Sequence, residues 1–130
     1  MSSSSCSALG FSGDKVYAVG DQAEIYIWDI RHNKRCLAKV ADEGSFNTTH
    51  LTVSEDGAQL ATGSHSGIVN LYKINDHHNL TLMKTVMNLT TAISDLRFDP
   101  TGQLLGVCSK WKKNAVRLIH AGLGGTYTAY

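Results

Sequence analysis

Asp76-His77-His78 sets a carboxylate beside two imidazoles, the residue types of a metal centre. Adjacent side chains in a strand or loop point apart, and no third ligand follows at a suitable spacing. The triplet therefore reads as a solvated loop, and no metal is expected. Ser, His and Asp residues are scattered through the chain, but no G-x-S-x-G elbow presents a nucleophile and no group stands out to orient a base. Gly122-Leu123-Gly124-Gly125 lacks the lysine and the following helix of a phosphate loop, so no cofactor is expected. What remains is binding. Lys110-Trp111-Lys112-Lys113 joins three cations to an indole, a set that suits a phosphate backbone with a base stacked on the ring. Arg31-His32-Asn33-Lys34-Arg35 is a second basic loop, with Arg31, Lys34 and Arg35 as its cations. The plainer reading of both clusters is solvated loops.

The elements that must carry these loops are short strands. Leu51-Thr52-Val53-Ser54-Glu55-Asp56-Gly57 recurs as Leu96-Arg97-Phe98-Asp99-Pro100-Thr101-Gly102, with a weaker copy at Leu9-Gly10-Phe11-Ser12-Gly13-Asp14. The interval is 42 residues from Phe11 to Val53 and 45 from Val53 to Phe98. Each copy is followed by further apolar runs, among them Ile25-Tyr26-Ile27-Trp28-Asp29, Val69-Asn70-Leu71-Tyr72 and Val116-Arg117-Leu118-Ile119. Strands are expected at Lys15–Val19, Glu24–Asp29, Cys36–Val40, Thr49–Val53, Gln59–Gly63, Ile68–Tyr72, Leu82–Met87, Ile93–Phe98, Gln103–Cys108 and Ala115–Ile119. A period of about 40–45 residues with a Trp-Asp ending marks the blades of a WD-type propeller. Runs apolar at nearly every position, such as Leu104–Cys108, suit sheets covered on both faces. Trp28 and Tyr72, each closing the third strand of its unit, read first as packing between blades and second as interface anchors.

Composition narrows the function classes. At 130 residues and 42% hydrophobic, the chain is long enough for one packed domain. A net charge of +1 gives no bulk pull toward nucleic acid or membrane. The Ser-rich start has neither the basic nor the apolar stretch of a signal peptide, and no run approaches a membrane span, so no membrane partner is expected. Three well-separated cysteines read as reduced thiols of an intracellular protein. The N-x-T triplets at Asn47, Asn79 and Asn88 then read as turn and strand-edge residues.

Beyond the generic repeat, several segments are distinctive: Asp42-Glu43-Gly44-Ser45, Leu60 to Tyr72, Met87-Asn88-Leu89-Thr90-Thr91 with Phe98-Asp99-Pro100-Thr101-Gly102, and Lys112-Lys113-Asn114-Ala115-Val116-Arg117-Leu118. On these, the chain from about Ala18 to His120 resembles the propeller of the U3 small nucleolar RNA-associated protein 18 family. The resemblance implies a non-enzymatic scaffold of the small-subunit processome. Its partners would be other processome proteins of the UTP-B subcomplex, and U3 RNA and pre-ribosomal RNA within the particle. Its place would be the nucleolus of the nucleus, in processing toward 18S rRNA, with no small-molecule substrate. The Gly-His pair that opens a WD repeat is absent and Lys73 stands where the pattern has Asp. The buried Asp-His-Ser/Thr-Trp network is thus expected to be largely missing and each blade less stable. Past His120 the text departs from the family, as a splice end or shortened gene model would.

The expectation is an all-β fold, a partial WD40-type β-propeller of about three blades in an open arc. Residues 1–7 would be a disordered Ser-rich start. Residues 8–120 would form the partial propeller, in units of about 8–40, 41–87 and 88–120. Residues 121–130 would be a divergent tail or a frayed outer strand. The terminal blades would expose faces and edges that normally meet neighbours, giving low solubility or partial folding alone. Alternative readings are a generic WD-repeat adaptor, such as a substrate receptor of a ubiquitin ligase, or a non-functional truncated product. Successive turns of a meander alternate between its two ends. The two basic loops join different strand pairs, so they are expected on opposite faces of the disc.

Overall fold

Alternating apolar runs and glycine-bearing turns resolve into three antiparallel meanders in a computed structural model, which describes residues 6–20, 24–31, 36–42, 48–75, 79–86, 93–109, 116–120 and 126–129. The first sheet holds β1 (Cys6–Ser12), β2 (Lys15–Gly20), β3 (Glu24–Asp29) and β4 (Cys36–Ala41). The second holds β5 (Thr48–Val53), β6 (Gln59–Ser64), β7 (Val69–Ile74) and β8 (Leu80–Val86). The third holds β9 (Asp95–Phe98), β10 (Leu104–Cys108), β11 (Val116–His120) and β12 (Thr126–Ala129). In every sheet the spatial order follows the chain. No helix occurs among the described residues.

Most strand limits lie within two residues of expectation, and Glu24–Asp29 matches it at both ends. β1 already begins at Cys6, inside the stretch 1–7 read as loose, because Cys6 finds a partner in Gly20 across an irregular register. The segment 121–130 supplies β12, whose Thr126–Ala129 pairs with Ile119–Val116 of β11. Thr and Tyr favour a pleated strand even where aliphatic residues are lacking.

The sheets stack flank to flank, with β1 against β5 and β5 against β9. Period-two alternation sorts the side chains. In β3, Ile25 and Ile27 turn toward the second sheet and meet Leu51, Leu60 and Tyr72 there, together with Tyr17 and Val19 of β2. A second core joins Ala61, Val69 and Leu71 to Leu96, Leu105, Val107 and Ile119. The second sheet is thus covered on both faces, and Val69, Asn70, Leu71 and Tyr72 are all buried. That is the physical reason its strands read as continuous rather than alternating.

The innermost strands approach closely. A Cβ at Gly10 would lie 2.6 Å from Leu51 Cδ2 and 2.9 Å from Val53 Cγ2, so a larger residue would force these side chains to shift. The hairpins that follow β5 and β9 share one design. Gly57 and Gly102 adopt φ of 74° and 75°, a region glycine enters without a steric cost. Their N–H groups donate to Ser54 O and Asp99 O. Across the sheet boundary, Gln59 Nε2 donates to Gly102 O at 2.9 Å, tying one hairpin to the next.

Two carboxylates lock these hairpins. Asp56 accepts from the Ser54 hydroxyl at 2.6 Å and from Ala58 N–H at 3.0 Å. Asp99 accepts from the Thr101 hydroxyl at 2.6 Å and from Leu104 N–H at 2.9 Å. In each case the hydroxyl bond, then the backbone N–H, holds the carboxyl below its ordinary value. A carboxyl more acidic when folded stabilises the fold above its unfolded value of about 4. That contribution is lost as pH falls through the depressed folded values. The urea midpoint is therefore expected to stay level from pH 7 to about pH 5 and then decline. The double variant Asp56→Asn/Asp99→Asn is expected to show a shallower acid decline; a slope equal to the parent's would remove these two groups as its source.

Candidate functional site

Of the basic residues singled out by sequence, Arg31 lies within the described region. It follows β3 at the end of the first sheet that also carries the β1–β2 turn. Its backbone N–H donates to Asp29 Oδ1 at 2.9 Å. Its Nε lies 3.1 Å from Asp14 Oδ2 and 3.5 Å from Asp29 Oδ1. The hydrogen bond to Asp29, then the charges of Asp29 and Asp14, push the guanidinium pKa up. Arg31 is an exposed cation already held by two carboxylates. Lys34 and Arg35 lie outside the described residues, as do Lys110, Trp111, Lys112, Lys113 and the Asp76-His77-His78 triplet.

The expectation that the two basic loops lie on opposite faces of the disc falls on residues 32–35 and 110–113, outside the described residues.

A polar cleft of about 340 Å³ opens between the first two sheets, with Asp14, Lys15, Arg31 and Asp56 among its lining and Tyr17 beside them. Burial pushes the Tyr17 phenol pKa up, so it stays protonated at neutral pH. Both signs of charge line the cleft. Among the described residues no group of three His, Cys, Asp or Glu side chains is placed to hold a metal ion. Cys6 and Cys108 carry free thiols.

The most organised polar constellation was not singled out by sequence. Asp42, just past β4, is buried at the inner end of the second sheet. Its Oδ2 accepts from the Thr48 hydroxyl at 2.6 Å. Its Oδ1 accepts from the Thr62 hydroxyl at 2.8 Å, Asn70 Nδ2 at 3.0 Å and the Tyr72 hydroxyl at 2.7 Å. Thr85 extends the chain by donating to Asn70 Oδ1 at 2.8 Å. A carboxylate offers about four lone-pair sites, and here donors from β5, β6 and β7 meet it, three at Oδ1 and one at Oδ2. The expectation of a largely missing network thus needs correction for the second sheet. Asp42 takes the acceptor's place, and Tyr72, where the pattern has Trp, supplies a hydroxyl. The legible signal was polar Thr62 and Asn70 standing inside otherwise apolar strands.

Tyr72 and Trp28, which occupy matching positions, have different surroundings. Tyr72 is 1% exposed between the first two sheets. Trp28 is half-buried on the opposite flank of the first sheet and stacks on Tyr26, with ring centroids 5.8 Å apart.

No family model matches the chain. The chain is 38% identical over 118 residues to the human U3 small nucleolar RNA-associated protein 18 homolog, covering 87% of this chain and 21% of the relative. It is 39% identical over 117 residues to the Arabidopsis thaliana homolog, with the same coverage of 87% and 21%. It is 31% identical over 121 residues to the Saccharomyces cerevisiae protein, covering 79% of this chain and 20% of the relative. The chain belongs to the U3 small nucleolar RNA-associated protein 18 family. It spans about one fifth of the length of these curated relatives. Among solved structures, the β-propeller domain of Myceliophteria thermophila Cps50 (Swd1) superimposes with a TM-score of 0.77 at 18% identity. The match covers 95% of this chain and 42% of that one. The fold is a WD-type β-propeller, present as an open arc in which each four-stranded sheet is a blade.

Proposed function

We propose that this family segment acts as a non-catalytic scaffold in the U3 ribonucleoprotein of the small-subunit processome, in pre-ribosomal RNA processing toward 18S rRNA. The observation that carries the reading is the shared name of the human, plant and yeast relatives, each a U3 small nucleolar RNA-associated protein. The architecture is compatible with it. Buried side chains serve blade packing, and the most organised polar group, around Asp42, is filled from within. On this reading the chain resides in the nucleolus and its partners are processome proteins, with the UTP-B subcomplex as the assembly to examine.

The test is retrieval of the tagged chain from nucleolar extract. Co-sedimentation with U3 RNA and pre-ribosomal particles is the expected result. Sedimentation with ubiquitin-ligase subunits instead would replace this reading with that of a general adaptor. Direct RNA contact is assigned to Lys110, Lys112 and Lys113, because three cations flank one indole in that loop. Changing all three to Gln is expected to weaken particle association several-fold while leaving the thermal transition in place. Unchanged sedimentation would take RNA contact away from this loop.

A further inference from the structure

The polar cleft of about 340 Å³ between the first two blades stands where their hairpins differ. Ser12 pairs with Lys15, so two residues turn the β1–β2 hairpin. Ser54 N–H donates to Gln59 O, so four residues turn the β5–β6 hairpin. The hairpins nevertheless lean on one another alike at both blade junctions. Ser12 Oγ lies against Gly57, where a Cβ would collide with it, and Ser54 Cβ lies against Gly102. Register puts Lys15 in the place of Gln59. Gln59 ties the second junction by donating to Gly102 O at 2.9 Å. Lys15 has no hydrogen bond or ion pair among the described residues and lines the cleft instead.

Tyr17 lines the same cleft. It is 2% exposed, yet its hydroxyl meets no hydrogen-bond partner among the described residues. A buried phenol ordinarily finds one. Burial alone raises its pKa, so the proton stays in place to be donated. The other polar groups of the cleft are engaged within the chain. Arg31 is held by Asp14 and Asp29. Asp56 Oδ1 accepts from the Ser54 hydroxyl and Ala58 N–H. One ammonium and one phenol are left, a pair of donors that suits an anion.

The surrounding charge limits which anion. Asp14, Asp29 and Asp56 outnumber Lys15 and Arg31 here, and the next hairpin adds Asp99. A polyanion laid across this end of the blades would be repelled, whereas one carboxylate needs only the two donors. We propose that the cleft receives a single Asp or Glu side chain from a segment of a protein partner, with Lys15 as its counter-ion and the Tyr17 hydroxyl as a second donor. This docking point stands whether or not the chain works beside U3 RNA.

Two capped peptides test it, acetyl-Gly-Glu-Gly-amide and its Gln counterpart. Each is titrated into the full 130-residue chain while NMR shifts are read at Ser12, Tyr17 and Gly57. The Glu peptide should give saturating shifts there, and the Gln peptide should bind about tenfold more weakly. Lys15→Met should weaken the Glu peptide about tenfold and Tyr17→Phe about fivefold. Tyr17→Phe should also leave the thermal midpoint level or higher, because no bond within the chain is lost. A lower midpoint would show the hydroxyl already engaged and overturn the site. Equal binding of the two peptides, or unchanged affinity in both variants, overturns it as well. So does tighter binding of a uridine oligonucleotide at the same residues, which would make this a nucleic-acid site.

Discussion

Replacing Asp42 with Ala is expected to cost about 3–5 kcal/mol of stability, most of what a small domain possesses. The estimate follows from what the carboxylate leaves behind. Thr48, Thr62, Asn70 and Tyr72 direct donors at it inside a buried space. Each donor stranded without an acceptor costs about 1–3 kcal/mol, less whatever water regains. Asp42→Asn keeps the shape but turns one acceptor oxygen into a donor, and should lose about half as much. Tyr72→Phe removes one donor and leaves the acid satisfied by the rest, so about 1 kcal/mol is expected. Urea unfolding of the three variants and of Asp42→Ala/Tyr72→Phe checks the account. The double variant should fall well short of the sum, because the two residues share one network. Additive losses would mean that the cluster does not act as a unit.

Gly63→Ala is expected to destabilise by about 2–3 kcal/mol, although alanine suits a strand no worse than glycine does. A Cβ at this position would stand 2.7 Å from Ile93 Cγ2 and 3.1 Å from Ile93 Cβ. Ile93 has little room to yield. Its side chain is buried in the core between the second and third blades, and its N–H donates to Ser64 O at 3.1 Å. β-Branching leaves it few rotamers to escape into. The clash therefore pries the blades apart at their inner end. Gly63→Ala combined with Ile93→Ala should cost less than the two losses added together, since the second change opens the space the first one needs. Thermal unfolding of the single and double variants is the measurement, and strict additivity would place the strain elsewhere.

Strands and hairpins were legible because their signals are local. Asp56-Gly57 and Thr101-Gly102 announce reversals, and the branched residues around them announce strands. β8 was harder to bound, since Thr81 and Lys84 break its apolar run and it begins at Leu80 rather than Leu82. β12 has no aliphatic core residue, and pairing with β11 decides its state. The Asp42 cluster was legible only in polar Thr62 and Asn70, for a different reason. Its members run from residue 42 to residue 85, and no spacing rule links an acid in one connection to hydroxyls on several strands. Arg31 illustrates the same limit. In sequence it is one of several cations in a basic loop, whereas in space Asp14 and Asp29 neutralise it.

The carboxylate that organises the second blade is delivered by the stretch of chain leaving the first. Asp42 emerges from the ribosome ahead of every group that will bind it, and Tyr72 arrives thirty residues later. Maturation is consequently vectorial: an anchor laid down by the finished module waits for its successor. Cutting the polypeptide between residues 41 and 42 would separate the modules with the anchor on the correct side. A cut between residues 43 and 47 would deprive the younger module of it. Two nicks a few positions apart should thus yield C-terminal pieces of very different protease resistance.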